Sequence, residues 1–238
     1  MLEQARVAVV VPAYREERLI ARMLARVPAY VDAIYVVDDA SSDGTSHVAR
    51  HAGDRRVSVL RHEANRGVGA AIVSGYRAAL ADGHDVLAVM AGDDQMHPDD
   101  LEPLVRGVLA GAAYAKGNRF IHPEAGRMPL ARRAGGAFLS AVTRAASGLD
   151  VSDTQCGFTA LAATAAAALP LDELWPRYGY PNDLLLLLAA RGLRVVEVPV
   201  RPVYADERSG LRVWHVLSIL GVVWRRYATV ARSTRSSA

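Results

Sequence analysis

The sequence predicts an α/β fold: a mostly parallel sheet flanked by helices on both faces, followed by an amphipathic C-terminal helix. Three observations carry that expectation. Short runs that are apolar throughout, such as Val7 to Val11, Ala33 to Val37 and Val86 to Met90, alternate with segments of helical period, and strands apolar on both sides belong to a sheet covered on both faces. Acidic clusters, Asp38-Asp39 and Asp93-Asp94, follow two of those runs. Carboxylates at the carboxyl ends of parallel strands converge on the crevice where an open sheet binds its ligand. Finally, 238 residues that are 51% apolar suffice for one such domain with a substantial core.

The elements follow in order. Val7 to Val11 is the first strand and Pro12 ends it. Glu16 to Arg26 reads as a helix because Leu19, Ile20, Met23 and Leu24 share one face. Ala33 to Val37 is the second strand, and Ser42 or Asp43 caps a helix running to about His51. Val57 to Leu60 is the third strand, and Val68 to Ala81 is helical after Asn65-Arg66-Gly67. Val86 to Met90 is the fourth strand; Pro98 opens the next helix at its favoured first-turn position, and Ala112 to Lys116 is the fifth strand. The second half is less regular. Leu130 to Ser147 is a helix rich in alanine and arginine, Gly157 to Ala162 a short strand beside the sheet, Pro181 to Arg191 a helix, and Val195 to Val198 a strand ended by Pro199. A last amphipathic helix covers about Leu211 to Val230, and the polar tail Ser233 to Ala238 has the composition of a disordered end.

Charge is uneven although the net value is only +3. Ala125 to Leu149 holds no acid but carries Arg127, Arg132, Arg133 and Arg144, and from Leu211 onward there is again no acid against five arginines. The first half is built to hold a metal and the second to meet an anion or an anionic surface, with no sign of a nucleic-acid partner. The single cysteine, Cys156, excludes an internal disulfide and suits a reducing cytoplasm. Neither a signal peptide nor a spanning helix is expected: the apolar stretch Val213 to Trp224 is broken by His215 and Ser218 and falls short of the roughly 20 residues a span needs.

Several side chains carry chemistry. In Val11-Pro12-Ala13-Tyr14-Arg15-Glu16-Glu17, Tyr14 can stack on a base and Glu16 can accept from a base or ribose, although taken alone the turn reads more simply as an acid-rich helix start. Asp38 and Asp39 are adjacent carboxylates that repel unless a ligand, metal or solvent receives them. Asp93 and Gln95 are two apart and can point the same way from extended backbone, as oxygen ligands for Mg2+ or Mn2+ beside substrate phosphates. Weaker signals read as structure. Gly67-Val68-Gly69 lacks the third glycine of a dinucleotide fingerprint, His47 and His51 lack a third zinc ligand, and Cys156 reads as a small buried residue.

Together these residues resemble the family 2 glycosyltransferases of GT-A fold, in their dolichyl-phosphate mannose synthase-like branch. The opening turn around Pro12, the strand end Val37-Asp38-Asp39-Ala40-Ser41-Ser42-Asp43-Gly44-Thr45 and the helix start Asn65-Arg66-Gly67-Val68-Gly69 all match in kind. So do Gly117-Asn118-Arg119, with its phosphate-contacting arginine, the acceptor-side stretch Asp153-Thr154-Gln155-Cys156-Gly157-Phe158, and Val198-Pro199-Val200 followed by Arg208-Ser209-Gly210. The resemblance implies a GT-A domain over 1–210, with a nucleotide half to about 118 and an acceptor half beyond it, then a C-terminal helix and tail over 211–238. One motif departs from the pattern. The family's Asp-x-Asp reads Ala91-Gly92-Asp93 here, leaving Asp94 as a replacement ligand.

The implied reaction is inverting transfer of a hexose from a GDP- or UDP-linked sugar. Pro12, Tyr14, Glu16, Asp38 and Asp39 hold the nucleoside, while Asp93, Gln95 and Asp94 with a cation, and Arg208, hold the diphosphate. A lipid-phosphate acceptor is already ionised and would be positioned by Arg119, Arg132 and Arg133; a hydroxyl of a small molecule or glycan needs a base, for which Asp153 and Asp183 are the candidates. The two acid-free helices suit the cytoplasmic surface of a membrane or a second copy of the chain. From another class, a nucleotide-sugar-binding module without turnover is motivated by Ala91. A nucleotidyltransferase is disfavoured because Pro12 to Arg18 contains no glycine for a triphosphate loop.

Overall fold

The computed structural model describes residues 1–203 and 213–236. Its strands are β1 (Val7–Ala13), β2 (Ala33–Asp38), β3 (Val57–Arg61), β4 (Val86–Val89), β5 (Tyr114–Asn118), β6 (Thr159–Ala162) and β7 (Val195–Pro199). They form a seven-stranded sheet in the order β3-β2-β1-β4-β6-β5-β7. The pairing is parallel except for β6, which runs antiparallel to both β4 and β5. The helices are α1 (Ile20–Ala25), α2 (Thr45–Arg50), α3 (Val68–Ala81), α4 (Leu101–Leu109), α5 (Leu130–Ser147), α6 (Ala163–Ala168), α7 (Tyr180–Ala190) and α8 (Val213–Ser236).

The all-apolar strands do what their composition requires. Along β1, Val7, Val9 and Val11 enter one core with Ile20, Met23 and Leu24 of α1 and Leu101 and Leu104 of α4. Ala8 and Val10 enter the opposite core with Ile72 and Tyr76 of α3 and Leu184 and Leu188 of α7. Alternate residues thus feed two helical layers, and each enclosed valine contributes about 1.5–3 kcal/mol.

Where the elements differ from expectation, local chemistry explains it. Helix α1 begins at Ile20 rather than Glu16 because Arg15 adopts a left-handed φ of 61° and the chain must first turn, with Glu16 O accepting from Leu19 N and Ile20 N. Strand β6 lies inside the sheet, not beside it, because the chain returns through α5 from the opposite end and fills the gap between β4 and β5. Helix α6, an alanine run broken by the exposed Thr164, is an addition to the expected elements. Helix α8 continues past Val230 to Ser236, into the tail whose composition suggested disorder.

One feature of the sheet positions the site. The order reverses between β1 and β4, since β1 leads to β2 and β3 on one side and the chain resumes with β4 on the other. The β1–β4 ladder ends at Val10–Val89, whereas the β1–β2 ladder continues to Ala13–Asp38. Met90 N and Gly92 N still donate to Val10 O and Pro12 O, but Pro12 has no N–H to return. The strands part there, and a parted pair at the reversal of strand order is where open α/β sheets hold ligands.

Helix α8 packs on α5 and α7 through Ile219 and Val223, with Leu139 and Leu186 facing them. The same stripe carries Arg226, only 5% exposed, while Leu217, Trp224 and Tyr227 face outward. Among the described residues, no helix is long and apolar enough to cross a membrane.

Candidate active site

A cleft of about 610 Å3 opens at the parted strand ends. Pro12, Tyr14 and Glu16 line it beyond β1, Asp39 beyond β2, and Ala91, Gly92 and Asp93 beyond β4. The facing wall comes from Asn65, Gly67 and Val68 at the start of α3, from Trp175, Arg177 and Tyr178 before α7, and from Ser218 on α8. Asp39 and Asp93, from separate strand ends, therefore share one hollow.

The adjacent acids Asp38 and Asp39 divide. Asp38 is fully buried and absent from the cleft lining; it accepts from Ser41 N at 2.8 Å, from the Ser46 hydroxyl and from Arg61 at 2.8 Å. Burial by itself would raise the Asp38 carboxyl, but the Ser41 and Ser46 hydrogen bonds and Arg61 outweigh it and hold it below the ordinary range. Its role is to fold the turn after β2. Asp39 faces the cleft while accepting from His62 Nδ1 and Arg66 N through Oδ1, and from Gly67 N through Oδ2. The His62 ring reaches the Ser74 hydroxyl through its other nitrogen, at 2.9 Å. The repulsion expected between neighbouring carboxylates is thus relieved by protein donors on both.

The acids after β4 divide in the same way. Asp93 lines the cleft and accepts from Gln95 N at 3.1 Å. Asp94 has φ 57°, which turns its side chain away, and it is clamped by Arg22 at 2.6 Å and Arg26 at 2.8 Å. A carboxylate holding two guanidiniums is not the replacement metal ligand expected beside Ala91. Gln95 does not line the cleft either. Among the described residues, no three His, Cys, Asp or Glu side chains converge on a metal position. The donor set nevertheless fits a hard cation, because Mg2+ and Mn2+ are commonly held by one or two carboxylates plus substrate phosphates. Asp93 is the carboxylate that would hold it. Glu16 is close at hand, its Cγ only 3.4 Å from where a Cβ on Gly92 would stand.

The expected bases lie elsewhere. Asp153 is fully buried and held by Arg119 at 2.8 and 2.9 Å, with Arg119 N also donating to it. Burial would raise its pKa, but the Arg119 hydrogen bonds and charge, with the Lys116 ammonium nearby, hold it below the ordinary carboxylate range. Asp183 is equally buried: Oδ1 takes Arg226 at 2.7 Å, and Oδ2 takes Arg226 at 3.0 Å and Trp175 N at 2.8 Å. Neither carboxylate is among the residues that line the cleft. Arg119 is engaged with Asp153 outside the cleft lining. Arg132 and Arg133 lie on α5, Arg133 on its exposed side. Arg208 falls outside the described residues.

Sequence reasoning missed Trp175, Arg177 and Tyr178. Their signal is there in Trp175-Pro176-Arg177-Tyr178-Gly179-Tyr180-Pro181, an aromatic and basic turn between apolar segments, but nothing local tells which strand ends such a turn will cover.

Comparison with known proteins supplies the family. Residues 8–157 match the model of glycosyl transferase family 2. The chain is 32% identical over 200 residues to an undecaprenyl-phosphate mannosyltransferase of Micrococcus luteus, covering 82% of each chain. It is 28% identical over 214 residues to a UDP-N-acetylglucosamine–dolichyl-phosphate N-acetylglucosaminyltransferase of Methanococcus voltae, covering 83% of this chain and 85% of the other. Its fold superposes with a TM-score of 0.71 on glucosyl-3-phosphoglycerate synthase from Mycobacterium tuberculosis in complex with Mn2+, UDP-glucose and phosphoglyceric acid. The identity is 20%, with 94% of this chain and 80% of that one covered. With its GT-A sheet and its cleft at the β1–β4 switch point, the chain belongs to glycosyl transferase family 2.

Proposed function

We propose that the protein is an inverting glycosyltransferase that moves a hexose from a UDP- or GDP-linked donor to a polyprenyl phosphate. The observation that carries the donor side is the shared cleft of Asp39 and Asp93. The nucleoside lies against Tyr14 and Asp39, with Pro12 and Glu16 beside it, and the diphosphate lies toward Asp93. A bound Mg2+ or Mn2+ at Asp93 supplies charge neutralisation to the leaving diphosphate. The acceptor oxygen attacks the anomeric carbon from the face opposite the diphosphate, whose bond to that carbon breaks as the new one forms, so the configuration inverts.

The acceptor side is supported by two findings. Asp153 and Asp183, the carboxylates a hydroxyl acceptor would have needed, are both buried against arginines. A phosphate monoester is already ionised near neutral pH and needs little base. The named relatives act on undecaprenyl phosphate and dolichyl phosphate. The outward faces of α5 and α8, with Leu130, Phe138 and Arg133 on one and Leu217, Trp224, Arg225 and Tyr227 on the other, suit peripheral contact with an anionic membrane surface.

The test is transfer by the purified chain from UDP- and GDP-hexoses to a short polyprenyl phosphate with Mn2+, reading the sugar phospholipid and its anomeric configuration. A retained configuration, or transfer only to hydroxyl acceptors, overturns the proposal. Tight nucleotide-sugar binding with no transfer to any acceptor favours a binding module instead.

A further inference from the structure

Several arginines near the cleft are paired with carboxylates. Arg61 holds Asp38, Arg22 and Arg26 hold Asp94, Arg119 holds Asp153, and Arg226 holds Asp183. Arg177 lines the cleft itself, and no carboxylate pairs with it among the described residues. Its guanidinium meets only neutral oxygens of Asn65, at 3.4 Å from Nη1 to the side chain and 3.3 Å from Nη2 to the backbone carbonyl. Those are long, weak contacts for a group whose five donors suit a bidentate anion.

The backbone that carries Arg177 is fixed from two sides. On one side it lies against α3. A Cβ on Gly67, whose φ is 98°, would stand 2.5 Å from Pro176 O and 2.6 Å from Arg177 Cγ, and one on Gly69 would stand 2.3 Å from Trp175 O. Only glycine lets the two segments touch there. Ala70 N then donates to Pro176 O at 3.0 Å. On the other side, Asp183 accepts from Trp175 N, Arg226 donates to Glu173 O at 2.9 Å, and the Arg225 guanidinium lies 5.2 Å from the centre of the Trp175 ring. The glycines at the start of α3 therefore do more than begin a helix: with α7 and α8 they hold one basic side chain at the cleft, facing a wall that bears Glu16, Asp39 and Asp93.

We propose that Arg177 is a phosphate-binding residue of this cleft, taking a phosphate oxygen of the ligand in a charge-assisted fork. The inference rests on the donor-site reading above and deepens it. The phosphate is either the donor's diphosphate or the acceptor's monoester, and each presents the same chemistry to a guanidinium.

The experiment compares the full chain with Arg177→Gln and Arg177→Lys in two arms. One arm measures UDP and GDP affinity by calorimetry, and the other the KM for farnesyl phosphate at saturating donor. Glutamine keeps the stem that packs on Gly67, and the head is exposed, so melting temperatures should match the parent. A lost charged hydrogen bond predicts weakening by about tenfold to a hundredfold for Arg177→Gln, with Arg177→Lys between it and the parent. Loss in the nucleotide arm assigns Arg177 to the diphosphate, and loss in the farnesyl phosphate arm assigns it to the acceptor. A parent that binds nucleotide while both variants match it in both arms overturns the proposal. A parent that binds neither nucleotide sinks the donor-site reading, and this inference with it.

Discussion

Replacing Arg226 by methionine should destabilise the protein far more than a surface arginine would. Arg226 is 5% exposed and Asp183 is fully enclosed. The pair is joined by contacts of 2.7 and 3.0 Å, while Arg226 also donates to Glu173 O and Asp183 also receives Trp175 N. Methionine fills the volume but leaves the carboxylate with the Trp175 amide and, at 3.7 Å, the half-exposed Arg225 guanidinium. Breaking a buried pair from one side costs about 3–5 kcal/mol, because an uncompensated charge stays inside. For a domain of this length that is roughly 6–20 °C in Tm. Urea unfolding followed by circular dichroism measures the loss, and Asp183→Asn in the same background separates its causes. The double variant Asp183→Asn/Arg226→Met should recover part of the loss, since the stranded charge is then gone. If Arg226→Met costs less than about 1 kcal/mol, the value of an exposed pair, the burial argument fails. Asp183 would then regain its standing as a carboxylate free to act on an acceptor.

Further expectations follow from the same geometry. Asp93→Asn should remove most Mn2+ binding, while Ala91→Asp, which restores an acid to the cleft wall, should tighten it by roughly tenfold; Mn2+ paramagnetic resonance with and without UDP reads both. The Asp153 carboxyl is held below its unfolded pKa of about 3.9. Its stabilisation is thus fully present above that value and drains away as pH falls through the lower folded pKa. Asp153→Asn should flatten the fall in stability between about pH 5 and pH 2, measured by urea unfolding at each pH. Burial pushes the Cys156 thiol up, so a thiol reagent at pH 8 should leave it unmodified in the native protein and react only on unfolding.

The sequence made the sheet legible because its signal is local. A run such as Val7 to Val11, apolar on both faces, has few alternatives to a central strand, and the acids after Val37 and Met90 mark the ends where such strands stop. What it could not reveal is direction within an acidic pair. Asp38 and Asp39, and likewise Asp93 and Asp94, are chemically identical neighbours. Which of each pair faces the cleft depends on partners 23 to 72 residues away, namely His62 and the Arg66 and Gly67 amides for Asp39, Arg61 for Asp38, and Arg22 and Arg26 for Asp94. Asp183 misled for the same reason. An acid at the start of a helix resembles a base until Arg226, 43 residues later, is seen to cover it.

These long-range pairings share one consequence. Each removes a charge from the neighbourhood of the cleft by matching it with its opposite: Asp38 with Arg61, Asp94 with Arg22 and Arg26, Asp153 with Arg119, Asp183 with Arg226. Glu16, Asp39, Asp93 and Arg177 are the charged side chains that line the cleft. A diphosphate with a bound cation presents both signs at once, and a cleft lined by both acids and a guanidinium can address each. The Trp175–Arg177 turn is held in place by its contact with Gly67 and Gly69 and by its tie through Asp183 to α8. The C-terminal helix, which brings Ser218 to the lining, is thereby a structural part of the cleft. Shortening the chain before Ser218 should cost nucleotide binding as well as any contact with a membrane.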